Sequence, residues 1–176
     1  MKKKKRNNWP LIVTILAFTI SLLFSFMSES IMPKVGIIVG IMILILFIFI
    51  GIIFDMIGVA VTSSNEEPLH AMSSKKIKGA KKAVSFKKNA DKVSSFCNDV
   101  IGDICGVLSG SISASIALKI TASFGISFNI QFLISALVAS LTVSGKAIGK
   151  TIAQKNSTKI VHAVAVVLNK LHLNQK

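Results

Sequence analysis

Long uncharged apolar runs, separated by lysine-rich stretches, dominate the pattern along this chain. Residues 11–27 and 35–54 contain no charged side chain. About 20 apolar residues in a helix cross a bilayer core of roughly 30 Å, so both runs are long enough to span it. Two later segments are less apolar but of similar length. The pattern predicts an all-α integral membrane protein, a helical bundle with four transmembrane helices at about 11–28, 35–61, 97–120 and 130–147.

The segment between the second and third predicted spans, 63–96, has the opposite character. It carries eight lysines, and Asn65 precedes two glutamates where a helix start favours acids. A loose apolar stripe follows along the same segment. This pattern predicts a basic connector helix lying on an anionic leaflet, where each lysine contributes roughly 1 kcal/mol. The stripe consists of Leu69, Met72, Ile77, Ala80 and Val84.

The chain divides into three predicted parts. Residues 1–34 form a basic amino terminus and a first span, which is longer than a signal peptide and lacks a clear small-x-small cleavage site, so an uncleaved span is favoured. Residues 35–156 hold three spans and the connector. Residues 157–176 begin with a capping serine, and their apolar run is too short to cross, which predicts a juxtamembrane amphipathic helix.

The net charge of +14 would point to nucleic acid in a soluble protein. Here Tyr is absent, Trp9 is the only Trp, and no basic stretch alternates with aromatic residues, so the expected partner is the lipid bilayer and not nucleic acid. Of 21 Lys and Arg residues, five lie in 1–10, eight in 63–96 and six from Lys146 onward. The positive-inside rule therefore predicts a multi-pass protein of the inner or plasma membrane with both termini cytoplasmic.

Charged side chains inside the predicted spans cost roughly 2.5–3.5 kcal/mol each on insertion scales, and they indicate a functional site. Asp99 and Asp103 are four residues apart, as are Lys146 and Lys150, so each pair shares one helix face. One hypothesis makes these four residues mutual counter-ions. The other is a magnesium site of carboxylate, amide and hydroxyl oxygens, which two nearby lysines argue against. Its candidate ligands are Asp55, Asn98, Asp103 and Ser109.

Small residues mark the third span. Gly102, Gly106 and Gly110 recur every fourth residue among serines, a spacing that lets helix backbones approach closely within a membrane. We therefore expect this span to face protein and not lipid. No histidine falls within a span to activate a serine, and no phosphate-cradling glycine loop appears, so neither an enzyme nor a resident cofactor is expected.

The stretch GKAIGKTIAQKN at 145–156 and the order of spans, basic connector and juxtamembrane helix resemble the membrane domain of the CNNM/CorC (CorB) magnesium and cobalt transport family. The family's third span tends to end in a pattern like G-E-x-x-P-K-[ST]-I-A-x-x-N. Here Lys146 replaces the acid and Gly149 the proline. The family's second span carries a G-N pattern, where this chain has Gly102 and Asp103. Its first span carries Ser and Glu where this chain has Ile57 and Gly58.

The resemblance implies a three-span domain with a basic connector, a homodimer, and transport or homeostasis of Mg²⁺, with Co²⁺ second. In the family, polar groups from these three places form a magnesium site near the middle of the membrane. Relative to the family pattern, Asp103 replaces an asparagine and Lys146 replaces a glutamate, so one helix gains an acid where another gains a base. This leads to the hypothesis that Asp103 and Lys146 pair, and that the lysine ammonium occupies the site in place of a metal ion.

Two further expectations concern what surrounds this domain. Family members usually continue into cytoplasmic CBS domains, and no such segment follows 157–176 here, so we expect a transmembrane domain alone, without nucleotide-linked regulation. The alternative to transport is a non-transporting scaffold or regulatory subunit that binds another membrane protein through its glycine face.

Overall fold

The computed structural model describes residues 9–125 and 130–173, and within these ranges it contains helices and no strand. The predicted basic stretch 1–8 and the last three residues of the predicted juxtamembrane segment lie outside the described residues. The helices are α1 (Trp9–Ile31), a 3₁₀ turn (Met32–Lys34), α2 (Ile37–Ser63), α3 (Glu66–Ser74), α4 (Ala80–Lys88), α5 (Ala90–Ser95), a π-helical segment (Phe96–Gly102), α6 (Asp103–Phe124), α7 (Gln131–Lys155) and α8 (Ser157–Leu173).

Four of the described helical stretches are long and apolar enough to cross a membrane. The all-α membrane bundle is therefore confirmed. The third stretch runs without interruption from α5 through α6, and α7 extends to Lys155, beyond the predicted end near residue 147. Since Gly149 does not break α7, Lys146 and Lys150 lie within the helix and not after it. The four stretches are Trp9–Lys34, Ile37–Ser63, Ala90–Phe124 and Gln131–Lys155.

Helix α6 lies at the centre of the bundle, as the prediction that it faces protein requires. Ile112 and Ile116 pack with Leu44 of α2 and Val138 of α7 in one apolar cluster. A second cluster joins α6 to α1, which itself buries no residue fully. The bundle therefore assembles around α6, with α1 as its loosest member.

Close approach between helices uses only one of the three predicted glycines, Gly102, together with glycines of α2 and α7. A Cβ added to Gly51 of α2 would lie 3.1 Å from Cys105 Cβ, and one added to Gly149 of α7 would lie 2.8 Å from Met56 Cγ. Gly102 is also packed, but Gly106 and Gly110 have nothing within 4 Å. The predicted packing role is wrong for Gly106 and Gly110 within one chain, because α2 and α7 carry the small residues at these contacts.

The connector is three short helices and not one. Lys76 and Gly79 adopt positive φ angles of 55° and 83°, which end α3 and turn the chain into α4. Ile77 of the predicted stripe is 41% exposed, but Leu69 and Ala80 are fully buried and pack on the protein itself. The predicted placement on the lipid surface is wrong for Leu69 and Ala80, because the end of α2 and helix α8 cover them. The shared cluster contains Ala60, Val61, Leu69, Ala83, Ala153, Val161 and Ala165.

Lys119, near the far end of α6, holds the turn between α1 and α2. Its ammonium donates hydrogen bonds to the carbonyl oxygens of Met32 (2.5 Å), Pro33 (3.2 Å) and Val35. Met32 and Pro33 belong to the 3₁₀ turn and Val35 follows it directly, and the carbonyls at the end of such a turn lack regular helical partners. The lysine therefore joins α6 to the α1–α2 turn.

We predict that Lys119→Met lowers the free energy of unfolding by about 1.5–3 kcal/mol, the range for hydrogen bonds that involve a charged group. Denaturant titration in detergent micelles measures this change. Lys34→Met, which removes an exposed lysine of the same turn, serves as the control and should stay near wild type. Equal stability of Lys119→Met and wild type would show that the three carbonyls do not depend on the ammonium.

Candidate functional site

The π-helical segment Phe96–Gly102 opens the third span at the contact with α2. The N–H of Asp103 donates to the carbonyl of Asn98, five residues back, which widens this turn of the helix. Wide turns of this kind are rare and frequently occur at functional sites. The segment directs Asn98 and the Gly102 carbonyl toward α2 and α7, and the candidate site lies there.

Asp55 of α2 is the most deeply buried charged side chain of this site, with 3% exposure. Its Oδ2 lies 3.3 Å from Lys150 Nζ of α7, yet that oxygen accepts no hydrogen bond of acceptable geometry from any described residue. The ammonium thus compensates the charge by proximity and leaves the lone pairs of Oδ2 free. Since an uncompensated carboxylate in a bilayer is costly, this pair ties α2 to α7.

Lys146 reaches the same region from one helical turn earlier on α7. Its Nζ lies 3.7 Å from Asp103 Oδ1 and donates a 3.3 Å hydrogen bond to the Gly102 carbonyl. A Cβ added to Gly102 would lie 3.4 Å from Asp55 Oδ1 and 3.6 Å from this ammonium. Gly102 therefore lies between the two acid–base pairs, and its lack of a side chain lets them converge.

Asn98 contributes the remaining amide. Its Nδ2 donates to Ser94 Oγ at 3.3 Å, while its Oδ1 is buried and has no hydrogen-bond partner in the described part of the chain. The amide packs against Gly58, one turn beyond Asp55 on α2, where any Cβ would overlap it. Two oxygens without hydrogen-bond partners, Asp55 Oδ2 and Asn98 Oδ1, thus lie along one contact between α2 and the third span.

Two predicted site residues lie apart from this cluster. Asp99 is exposed and forms no ion pair within the described ranges, so the predicted pairing of Asp99 with the α7 lysines is wrong, and Lys150 contacts Asp55 instead. Ser109 is buried, but its Oγ donates to the Cys105 carbonyl of its own helix at 2.7 Å. Seven residues separate Ser109 from Gly102, about 10 Å along the axis, so the structure does not bring it to the cluster.

The Asp55–Lys150 contact was not anticipated from the sequence, although a signal for it exists. Gly51, Asp55 and Gly58 follow each other at spacings of four and three on α2, which places an acid between two small residues on one helix face. Such a face is typical of close helix contact in membranes.

The cluster is electrically balanced, because two carboxylates face two ammonium groups. Asp103 has a side chain exposed to 70%, and Lys150 one exposed to 49%, whereas Asp55 and Lys146 are more enclosed. No group of three or more His, Cys, Asp and Glu side chains that could hold a metal occurs in residues 9–125 and 130–173. Any cation must therefore use amide and backbone oxygens as well, and it must compete with the lysines.

Comparison with known proteins gives one family match. A family model described as the cyclin M transmembrane N-terminal domain, CNNM, matches residues 41–173, which include most of α2, the connector, α6, α7 and α8. No curated protein and no solved structure matches the chain. Helix α1 lies before the matched residues. Since the match covers well over half of the sequence, the chain belongs to the CNNM family, a family of membrane proteins associated with divalent cation transport and homeostasis.

Proposed function

We propose that this protein moves divalent cations, Mg²⁺ first and Co²⁺ second, across the cell membrane through the cluster around Gly102. The observation that carries the proposal is the pair of buried oxygens without hydrogen-bond partners, Asp55 Oδ2 and Asn98 Oδ1, inside membrane-spanning helices. Carboxylate, amide and carbonyl oxygens are the ligands that Mg²⁺ and similar hard cations prefer.

Asp55, Asn98 and Asp103 are the proposed ligands, and the Gly102 carbonyl supplies a further oxygen. Mg²⁺ keeps several of its waters when it binds, so a few protein oxygens suffice. Ser109 is left out of this set, because its hydroxyl bonds to its own helix.

Lys146 and Lys150 act in this proposal as tethered cations that hold the acids when no ion is present. Two carboxylates balance one dication only if both ammonium groups withdraw, because an ammonium a few ångströms away repels the ion. The Lys150 side chain is half exposed, so its ammonium can move away from Asp55. Lys146 is more enclosed, so its withdrawal is the larger rearrangement and the step most sensitive to mutation.

The orientation we propose places both ends and the connector in the cytoplasm. Supporting it, α3, α4 and α8 pack together around the end of α2, which collects the lysine-rich segments at one end of the bundle. A cation would then meet the basic connector on the cytoplasmic side, where the lysines repel it. For the ion to pass, counter-ions must screen these lysines or the path must avoid them.

The second candidate function is a non-transporting subunit of the same fold, and the internal charge balance favours it. Asp103 is largely exposed and lies on the same face of α6 as the open Gly106 and Gly110. Exposure of a carboxylate to lipid is energetically unfavourable. Under this alternative, another membrane protein or a second copy of the chain covers that face, and the lysines stay in place permanently.

We predict Mg²⁺ flux into proteoliposomes that carry a trapped fluorescent Mg²⁺ indicator. Asp55→Asn should lower this flux at least about tenfold, which corresponds to about 1.4 kcal/mol of lost ion stabilisation. Lys146→Met should raise it, because the variant removes a competing cation. Asp99→Asn is the matched control, since it removes a carboxylate of the same segment that the cluster does not use.

Flux that falls equally in Asp55→Asn and Asp99→Asn would contradict the assigned site. No flux in wild type or in Lys146→Met would reject transport and leave the non-transporting subunit as the function.

We also predict strong coupling between Asp55 and Lys150. Lys150→Met should lower the free energy of unfolding by roughly 1–3 kcal/mol, because it leaves a buried carboxylate without its counter-ion. Adding Asp55→Asn to this variant should recover most of the loss, since the charge that needed compensation is gone. Unfolding titrations of the two single variants and the double variant in micelles measure the coupling.

Lys155→Met, on the exposed side of the same helix, controls for the general loss of a lysine from α7. Additive effects of Asp55→Asn and Lys150→Met would show that the two side chains do not depend on each other.

A further inference from the structure

An apolar cavity of about 400 Å³ lies where the start of α1 meets the rest of the protein. Its walls come from α1, the second half of α2, the connector, the start of the π-helical segment and α8, and no side chain of the charge cluster around Gly102 lines it. Small-molecule sites in proteins commonly have volumes of roughly 300–1,000 Å³ and mostly apolar walls. The lining includes Trp9, Phe54, Phe86, Val93, Phe96 and Val164.

Two polar groups stand out in this otherwise apolar lining. The indole Nε1 of Trp9 is buried and has no hydrogen-bond partner among residues 9–125 and 130–173. The ammonium of Lys92 lies 5.5 Å from the centroid of the same indole ring. Leaving a buried donor unsatisfied is unfavourable, so the N–H indicates an acceptor oxygen that the described part of the protein does not supply.

We propose that this cavity binds one anionic phospholipid. An acyl chain occupies the apolar space, an ester or phosphate oxygen accepts the Trp9 N–H, and the phosphate lies beside Lys92. Tryptophan is typical of the membrane interface, and basic pockets between transmembrane helices on the cytoplasmic side bind anionic headgroups.

Charge complementarity selects an anionic lipid over a zwitterionic one. The connector beside the cavity carries eight lysines against three acids, and five basic residues precede Trp9 in the sequence. A net negative headgroup is attracted by this field, whereas phosphatidylcholine carries no net charge.

The proposed lipid also has a structural role. Helix α1 buries no residue fully, and its contacts with α6 come from Val13, Leu16, Ala17 and Ile20, away from Trp9. An acyl chain in the cavity would fill the gap between the beginning of α1 and the connector. The lipid would then attach α1, which lies outside the family match, to the CNNM domain.

The chain's single tryptophan makes the proposal directly testable, because Trp9 is itself part of the lining. The full-length protein is reconstituted in phosphatidylcholine, and small mole fractions of phosphatidylglycerol or phosphatidylcholine with brominated acyl chains are added. Bromine quenches tryptophan fluorescence on contact. We expect half-maximal quenching at about fivefold less phosphatidylglycerol than phosphatidylcholine, the preference that about 1 kcal/mol from one lysine produces.

Lys92→Gln should abolish this preference, and Lys88→Gln, which removes an exposed connector lysine outside the lining, should keep it. Val164→Phe, which fills the cavity, should reduce quenching by both lipids to the level of bulk contact. If that variant does not reconstitute, Val93→Leu replaces it.

Three results would overturn the proposal. Equal quenching by the two lipids in wild type rules out an anionic site. An equal effect of Lys88→Gln and Lys92→Gln would mean diffuse attraction to the leaflet and no defined site. Unchanged quenching in the cavity-filling variant would place the acyl chain outside the cavity.

Discussion

A carboxylate buried in a membrane-spanning helix must be compensated, and the arrangement of three helices follows from this requirement. Asp55 of α2 has almost no exposure, and Lys150 of α7 lies 3.3 Å from it. Close approach at Gly51, Gly102 and Gly149 brings the helices near enough for that contact. Because the cost of a lone buried charge is far larger than a surface pair could offset, this contact constrains α2, α7 and the π-helical segment together.

The same cluster is compatible with either of the two proposed functions. Its charges cancel, yet two oxygens keep free lone pairs. With the lysines in place the cluster is a neutral support between helices. With the lysines withdrawn it presents two carboxylates, an amide and a carbonyl to the space around Gly102. Under the proposal, the free-energy difference between these two arrangements would decide between a transporter and a non-transporting subunit.

Particular residues show how much of the structure the hydrophobic and polar pattern of the sequence predicts. Uncharged apolar runs identify α1 and α2 as membrane spans. The glycines and serines within α6 identify it as a helix that faces protein. The pairing of Asp103 with Lys146 was predicted from two substitutions relative to the family pattern, which add an acid on one span and a base on another. In the structure, Lys146 Nζ lies 3.7 Å from Asp103 Oδ1. The predicted pairing of Asp99 with the α7 lysines is wrong, because the four-residue spacing of Asp99 and Asp103 assumes a regular α-helix, and the π-helical segment between them is not one.

The sequence by itself determined the membrane class, the number of spanning helices and the residues that must carry charge within them, since hydropathy and helical periodicity are local properties of the chain. Only the tertiary structure decided which charges meet, which glycines are packed, and that α8 and the end of α2 cover part of the connector's apolar stripe. These features depend on helix rotation, on a π-helical turn and on two positive φ angles at Lys76 and Gly79. Contacts between distant residues settle them, and no local pattern encodes such contacts.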